Sequence, residues 1–258
     1  MNTIKELYDY REMIFSLVRR DLKGRYKGSV LGFLWTFLNP LLQLGVYTMV
    51  FSIIMRSDVE DYYLFLFVAL VPWIFFSTSL SGGASCIWSQ KEMVKKIYFP
   101  REVLPIAFVT SQFVNMLLSF CVIFPILIIN KKPINIQALC WLPFIMLIEY
   151  LLSLSVAMLT SGITVYLRDV EYILAIIVMA WQFLTPVLYS IEQVPEELKV
   201  IFTLNPMSPI IIAYRDILYY GKAPNAATLM QAIILGIILL MIGCFSFSKL
   251  KKHFAEEL

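Results

Sequence analysis

Residues 88–105, WSQKEMVKKIYFPREVLP, form a long polar break between two hydrophobic segments of the chain. Basic side chains outnumber acidic ones here, and the charged residues are Lys91, Glu92, Lys95, Lys96, Arg101 and Glu102. Basic loops between membrane spans lie in the cytoplasm, which predicts the side on which this loop lies. Residues 89–98 favour a short helix, whose length is limited by Pro100 and Pro105. Such a helix between two spans suits the docking of a soluble partner, and a merely solvated loop fits the same residues.

The composition predicts an all-α polytopic membrane protein. Hydrophobic residues make up 60% of the 258 residues and charged residues only 15%, whereas a soluble domain carries roughly 25% charged residues. The mean hydropathy is +0.78. The four cysteines lack the spacing of metal ligands and are interpreted as small hydrophobic residues. No cleavage pattern precedes the first hydrophobic segment, so no signal peptide is expected.

Hydrophobic segments of about 20 residues predict six transmembrane helices in a single domain over residues 1–258. The predicted spans are residues 33–55, 62–80, 103–129, 139–166, 172–190 and 229–247. The remaining segments are an N-terminal region at 1–32, the basic loop at 88–102, an outer segment at 191–228 and a tail at 248–258.

The N-terminal region predicts an amphipathic helix at the membrane interface. Its apolar residues at helical spacing are Leu7, Tyr10, Ile14, Leu17, Val18 and Leu22. Its basic residues include Arg19, Arg20, Lys23 and Arg25. These four either receive a phosphate-bearing lipid head group at an entrance or anchor the helix to anionic lipid. Both interpretations remain open from the sequence.

The distribution of basic residues predicts the orientation. With six spans, fifteen of the 21 Lys and Arg residues fall on the side of the termini and six on the other side. The positive-inside rule therefore places both termini in the cytoplasm.

The outer segment does not fit a simple helical hairpin. Residues 196–204 favour a short helix, and Asn205-Pro206 breaks the chain after it. Residues 209–220 are apolar at their start but too short to span a membrane. We expect two short re-entrant or interfacial helices at the outer mouth of the protein.

Within this segment, Ile210 and Ile211 are expected to pack against the outer ends of the first and fifth spans. Arg215 and Asp216 interrupt the apolar run, so we expect them at its wet rim. The neighbours expected for the segment are Phe51, Met55 and Tyr189.

Motifs for chemistry are missing from the sequence. No phosphate-binding loop of the form GxxxxGK[ST] occurs, the single histidine is His253 in a basic tail, and no Cys/His cluster is present. Glu149 is the acidic residue well inside a predicted span. It is either a buried, hydrogen-bonded carboxyl or a group with a functional or subunit-interface role. One glutamate is poor evidence for ion coupling, so the energy for any transport is expected to come from elsewhere.

Four blocks resemble the permease subunits of type-2 ABC exporters of cell-surface polysaccharides, a group that includes O-antigen, capsule and teichoic-acid exporters. They are RRDLKGRYKGSVLGFLWTFLNP at 19–40, FPREVLP at 99–105, YLRDV to TPVLYS at 166–190, and LNPMSPIIIAYRDIL at 204–218. The blocks occur in this order, and the resemblance covers nearly the whole chain.

The resemblance implies a non-enzymatic permease that forms a homodimer in the bacterial plasma membrane. It implies two copies of a separately encoded ATPase, which binds ATP and Mg²⁺, and no cofactor, metal, catalytic residue or nucleic acid on this chain. The segment at 88–98 would be the coupling helix, and its contact residues would be Lys91, Glu92, Met93, Lys95 and Lys96. The substrate would be a glycan on a polyprenyl-phosphate-type lipid, which passes through a channel between the two subunits.

Aromatic residues of the first and fifth spans are the candidate lining of that path. They are Trp35, Phe37, Tyr47, Phe51, Trp181, Phe183 and Tyr189. Aromatic faces suit the flat C–H faces of sugar rings, although Trp and Tyr also gather at membrane interfaces for other reasons.

The outer segment resembles the gate helices of the same family. Ile210, Ile211, Arg215 and Asp216 are its candidate gate residues, and a passive surface loop is the alternative. Two other functions stay open from the sequence: a type-2 ABC exporter of drugs or small hydrophobic molecules, and a membrane scaffold without transport activity.

Overall fold

The secondary structure is helical throughout the part of the chain that the structure describes, which is residues 3–24, 28–54, 59–132 and 135–257 of a computed structural model. The helices of the first half are α1 (Thr3–Asp9), α2 (Arg11–Gly24), α3 (Trp35–Thr48), α4 (Tyr62–Ser85), α5 (Lys91–Lys96) and α6 (Val103–Ile129). Those of the second half are α7 (Ile136–Leu139), α8 (Leu142–Tyr166), α9 (Val170–Phe183), α10 (Lys199–Leu204), α11 (Met207–Leu218), α12 (Ala226–Leu250) and α13 (Phe254–Glu257). Residues Met49–Ile54 continue α3 as a π-helix. The predicted all-α class is confirmed.

Five of the predicted spans are helices long and apolar enough to cross a membrane. Within the described residues these helical segments are Gly32–Ile54, Tyr62–Ser85, Val103–Ile129, Ile136–Tyr166 and Ala226–His253. The predicted span at 172–190 is not confirmed as a sixth. Its helix, α9, has 14 residues, a length of about 21 Å, whereas the hydrocarbon core is about 30 Å thick.

The prediction of helix beyond Phe183 is wrong for a local reason. Pro186 disfavours helical backbone at Thr185 before it, and the amide of Val187 donates to the carbonyl of Thr185 at 2.6 Å instead of continuing the helix. Val187 and Leu188 are nevertheless fully buried, which explains why the hydropathy of this stretch resembles that of a span.

Helix α4 lies at the centre of the bundle. It is apolar on every face, the pattern of a fully buried helix, and Leu66, Val68 and Leu70 are 0% exposed. It packs against α3, α6, α8, α9 and α11. Small residues allow α4 and α8 to approach each other closely. A Cβ atom added at Gly83 of α4 would lie only 2.7 Å from the Cβ of Ala157 of α8, too close for any other residue type to fit without a shift. Close backbone contact of this kind is typical of helices packed within membranes.

The N-terminal helices and the C-terminal residues meet at one end of the bundle, which we call the basic end. The apolar face of α2 packs on α6 and buries Leu17 and Val18. Phe254 of α13 is also buried, with its ring 5.6 Å from that of Phe247. Lys251 donates to Glu102 at 2.5 Å. The predicted amphipathic helix is therefore two helices, with at least part of its apolar face covered by protein.

Candidate functional site

The basic stretch that separates α4 from α6 folds as a short helix with an exposed surface. A 3₁₀ turn at Trp88–Gln90 leads into α5, and the backbone becomes extended at Ile97, before Pro100. Val94 is 1% exposed and anchors α5 to the bundle. Ile97 and Tyr98 are 55% and 84% exposed. The short helix predicted for this stretch is confirmed, although it ends at Lys96 rather than at Tyr98.

Two cationic side chains hold Trp88 at the start of this segment. The guanidinium of Arg168, from the turn between α8 and α9, lies 3.5 Å from the centre of the Trp88 ring, and the amino group of Lys91 lies 4.9 Å from it. Such cation–π contacts stabilise an exposed turn. The Arg168 contact joins the α4–α6 connection to the α8–α9 turn. The sequence offered no signal for this contact.

The far side of the segment is held by Phe99 and Tyr10. Phe99 is buried, and the guanidinium of Arg101 donates to the carbonyls of Ile97 and Phe99 at 3.1 and 3.3 Å. The hydroxyl of Tyr10 donates to the carbonyl of Tyr98 at 3.3 Å. The segment is thus fixed at both ends while its middle faces outward.

The charges of α5 lie on its exposed side. Glu92, Lys95 and Lys96 are exposed, and Lys91 and Met93 are half-buried. The amino group of Lys96 is 3.2 Å from the carboxylate of Glu92. This hydrogen bond and the positive charge of Lys96 lower the pKa of the Glu92 carboxyl. The outward surface therefore carries a net positive charge beside the apolar side chains of Ile97 and Tyr98.

The predicted lipid-head residues lie along α2 at the same end. Arg19, Arg20 and Lys23 are exposed, whereas Arg25 lies outside the described residues. Arg20 lines a cavity of about 190 Å³ between α2 and the α4–α6 connection. Its polar lining also includes Asp21, Ser85, Ser89 and Gln90. The arrangement is compatible with either interpretation of the basic residues, which stay a prediction.

The predicted path residues are divided between exposed and packed positions. Trp35 is 39% and Phe183 is 56% exposed, and Phe37 is half-buried with its ring 5.5 Å from that of Phe33. The half-buried residues that pack against the main core are Tyr47, Phe51, Trp181 and Tyr189.

A hydrogen bond joins α3 to α9, and ring contacts join aromatic residues of both segments to α4. The side-chain amide of Gln182 donates to the hydroxyl of Tyr47 at 3.1 Å. The ring of Phe51 stacks on Tyr62 at 6.1 Å, and the ring of Trp181 packs edge-on against Phe76 at 5.2 Å. Gln182 was missed by the sequence reasoning, because an amide within an apolar helix does not reveal its partner.

The outer segment forms the two short helices that the sequence predicts, at α10 and α11. Helix α10 exposes Val200 and Leu204 at 64% and 69%. Helix α11 is instead a core element, in which Ile210 and Ile211 are 0% exposed. It packs against α4, α8 and α12. Helix α11 is therefore a fixed part of the bundle, and Met55, one of the neighbours expected for this segment, lies outside the described residues.

The expectation that Arg215 and Asp216 lie at a wet rim is wrong. Arg215 is 4% and Asp216 is 8% exposed. The guanidinium of Arg215 donates to the carbonyls of Pro186 and Val187 at 2.5 and 2.7 Å. These carbonyls belong to the turn after α9, where no helical N–H group is available to them. Because buried carbonyls need hydrogen-bond donors, the guanidinium of Arg215 is buried beside them.

Further contacts of Arg215 connect the turn after α9 to α4. The guanidinium also donates to the carbonyl of Tyr189 at 3.0 Å and lies 3.5 Å from the centre of the Phe65 ring. Asp216 pairs with Lys222 at 3.3 Å, nearer to solvent. Arg215 is thus a structural link among three parts of the chain.

Asn205 is a second such link, and its amide makes four hydrogen bonds. Its Oδ1 accepts from Nε1 of Trp181 at 2.9 Å and from the amide of Met207 at 3.0 Å. Its Nδ2 donates to the carbonyl of Leu184 and to Oγ1 of Thr185, both at 2.8 Å. The residue therefore fixes the end of α9 against the start of α11. The sequence analysis identified Asn205-Pro206 only as a chain break.

The carboxyl of Glu149 is fully buried in α8. The hydroxyl of Tyr214 donates to its Oε2 at 2.6 Å, and the Tyr214 ring stacks on Phe120 at 5.9 Å. This contact agrees with the interpretation of Glu149 as a buried, hydrogen-bonded carboxyl, and it connects α8 to α11.

Comparison with known proteins identifies the family. The family model of the ABC-2 type transporter matches residues 12–219. The O-antigen export system permease protein RfbA of Myxococcus xanthus is 36% identical over 99% of this chain and 98% of the relative. A permease of the same name from Klebsiella pneumoniae is 30% identical over 96% of this chain and 95% of its own length. The polysialic acid transport protein KpsM of Escherichia coli is 19% identical over 88% of this chain and 89% of its own length. The chain therefore belongs to the ABC-2 type transporter family of multi-pass membrane proteins.

Proposed function

We propose that this chain is the transmembrane subunit of an ATP-driven exporter that moves a lipid-linked polysaccharide across the bacterial plasma membrane. The polysaccharide is of the O-antigen, capsular or teichoic-acid type. The observation that carries the proposal is the 36% identity to an O-antigen export permease along 99% of the chain. Similarity over this length includes both the basic end and the segment around α11.

The exposed side of α5 is the proposed docking surface for a separate ATPase subunit, of which two copies bind the homodimer. Lys95, Ile97 and Tyr98 supply positive charge and exposed apolar area. Lys91, Glu92, Met93 and Lys96 complete the surface. Because Trp88 and Phe99 fix its two ends, movement of a bound ATPase is transmitted to the bundle rather than absorbed by the loop.

The proposed channel lies between two copies of the chain, along α3 and α9. Both segments present apolar side chains outward. Val46 of α3 and Met49 of its π-helical continuation are 62% and 59% exposed, and Ile176 and Met179 of α9 are 66% and 60% exposed. Trp35 and Phe183 lie on these same helices. Apolar and aromatic walls let a sugar polymer slide without binding it tightly.

The outer end of this channel is the proposed gate. Helix α11 holds the gate in place through its core contacts, and α10 with its exposed apolar residues is the part that moves. Loosely packed segments are the ones that open in transport and catalysis. The basic end then lies in the cytoplasm, where α2 with Arg19, Arg20 and Lys23 meets the lipid head group.

Deletion of the gene, with plasmid complementation, tests the export function. We expect the deletion strain to lose surface polysaccharide and to accumulate the lipid-linked form inside the cell, and the intact gene to restore export. A matched plasmid with residues 91–96 replaced by Gly and Ser is expected to make membrane-inserted protein without restoring export. Unchanged surface polysaccharide combined with new sensitivity to hydrophobic drugs would instead identify a drug exporter.

Single cysteines in a cysteine-free background test the orientation. Lys95→Cys and Lys252→Cys are expected to react with a membrane-impermeant maleimide only after the cells are opened. Asn135→Cys is expected to react with it in intact cells. Reaction of the Lys95→Cys protein in intact cells would contradict the proposed sidedness.

A further inference from the structure

A polar cleft lies among α3, α4 and α6, within the membrane-spanning part of the bundle. Its volume is about 80 Å³. Its polar lining residues are Thr36, Asn39, Thr78, Gln112, Asn115 and Ser119. The lining thus includes three amides and three hydroxyls, and no charged side chain belongs to it within the part of the chain that the structure describes. Polar groups at membrane depth are costly unless they are satisfied, and several of these have partners within the protein. The hydroxyls of Thr78 and Ser119 donate to backbone carbonyls at 2.6 and 3.0 Å, and Oδ1 of Asn39 accepts from Gln43 at 3.1 Å.

Asn115 differs from these lining residues in the state of its side-chain amide. Both polar atoms of its side-chain amide are buried, and among the residues that the structure describes neither has a hydrogen-bond partner. An unpaired buried amide destabilises a fold, whereas an apolar residue of the same shape would not. Packing alone therefore does not account for an asparagine at this position. A group that both donates and accepts hydrogen bonds does.

The chemistry of the lining selects the kind of group that fits. A phosphate would have to lose its hydration against a described lining that carries no cation, which is strongly unfavourable. Amides and hydroxyls each offer donors and acceptors, and sugar hydroxyls and acetamido groups match both. The volume admits one small polar group or a few water molecules but no polymer segment.

Trp35 provides a surface for a sugar ring at the mouth of the cleft. It lines the cleft and is 39% exposed. Its Nε1 already donates to Oγ of Ser29 at 3.1 Å, so the indole offers its flat face rather than its N–H group. Indole faces pack well on the C–H faces of sugars.

We propose that this cleft binds the hydroxyl edge or acetamido arm of a single sugar of the lipid-linked glycan. The lipid phosphate stays outside, and Trp35 covers the ring. The cleft is thus a subsite for one uncharged sugar, and this inference rests on the proposed export function.

Two matched probes separate the sugar from the lipid phosphate. They are phytanyl diphosphate and the same lipid carrying one N-acetylglucosamine, titrated against full-length permease in nanodiscs. We expect the wild type to bind the sugar-bearing probe about tenfold more tightly, as two or three added hydrogen bonds would give. Asn115→Leu should abolish this preference and leave the Kd for phytanyl diphosphate unchanged. Because it removes an unpaired amide, it should also leave the melting temperature equal or higher.

Thr110→Val is the matched control, because Thr110 lies on the same helix and its hydroxyl contacts Tyr150 at 2.8 Å instead of lining the cleft. It should keep the tenfold preference, and Thr78→Val in the cleft should reduce it. A preference that survives in the Asn115→Leu protein would show that the cleft holds only water and would overturn the proposal. If the Asn115→Leu protein melted at a lower temperature and lost the same factor of affinity for both probes, Asn115 would have a structural role, and the proposal would also be overturned.

Failure of the subsite is distinguishable from failure of the export function. If the wild type binds both probes equally while gene deletion still abolishes surface polysaccharide, only the sugar subsite is wrong. If neither probe binds and the deletion strain keeps its surface polysaccharide, the export function is wrong and the subsite with it.

Discussion

Nε1 of Trp181 donates a 2.9 Å hydrogen bond to Oδ1 of Asn205 and so joins the last turn of α9 to the chain break before α11. The same Asn205 amide donates to the carbonyl of Leu184 and to Oγ1 of Thr185. A short helix that stops within the bundle needs such a partner, because its last carbonyls have no helical donors.

The first prediction tests this junction with Asn205→Asp. The carboxylate has no N–H group for Leu184 and Thr185, and it brings a negative charge against two acceptors. We expect the free energy of unfolding to fall by about 3 kcal/mol, measured as a lower melting temperature of the purified permease. Asn225→Asp is the control, since Asn225 caps α12 through its Oδ1 and Asp serves equally well there. Equal melting temperatures for the two variants would contradict the role of Asn205.

The second prediction concerns Arg215→Lys. Lysine keeps the charge but lacks the planar fork that reaches the carbonyls of Pro186, Val187 and Tyr189 together. We expect a loss of about 3 kcal/mol in the free energy of unfolding and faster proteolysis of the turn after α9. Lys222→Ala removes a partner of Asp216 that is largely exposed and should cost far less. A stable Arg215→Lys protein would mean that the guanidinium contacts are not needed.

The third prediction concerns docking of the ATPase. Reversing Lys95 and Lys96 to Glu should weaken co-purification of the ATPase about tenfold at low salt and less at high salt, because rim charges act through screened long-range attraction. Lys199→Glu at the opposite end of the bundle is the control and should bind normally. Binding of the double variant that is equal to wild type at every salt concentration would rule out α5 as an electrostatic contact.

The fourth prediction separates a structural from an ion-coupling role for Glu149. Glutamine keeps a carbonyl oxygen that accepts from the Tyr214 hydroxyl, so Glu149→Gln should retain both stability and export. Glu149→Leu leaves that hydroxyl unpaired and should lower the melting temperature. Export that is abolished in Glu149→Gln without loss of stability would instead show that the carboxyl itself takes part in transport.

The helical spans and the basic end were predictable because their signals are local. Long apolar runs identify α4, α6, α8 and α12, and Pro100 limits the polar helix before α6. The end of α9 was not predictable from hydropathy, because Val187 and Leu188 are as buried as residues of a true span. Hydropathy predicts which residues are buried. The course of the backbone here depends on Pro186 and on the hydrogen bond from the amide of Val187 to the carbonyl of Thr185.

The site residues that were placed wrongly depend on contacts distant in sequence. Arg215 within an apolar run suggests a solvated interruption, yet its partners are carbonyls 26 to 29 residues earlier in the chain. Trp88 and Arg168 are even farther apart in sequence and meet only in the fold. Such pairings follow from the packing of whole helices, and a single sequence does not specify them.

The glycines that face α8 restrict how the bundle can move. A Cβ atom at Gly83 of α4 would lie 2.7 Å from Ala157, and one at Gly243 of α12 would lie 2.5 Å from the carbonyl oxygen of Ser155. The backbones already touch at both places, so a slide of α4 or α12 along α8 would drive neighbouring side chains into the α8 backbone. We therefore expect these three helices to move as one rigid body during a transport cycle, with the relative displacement falling on α3 and α9.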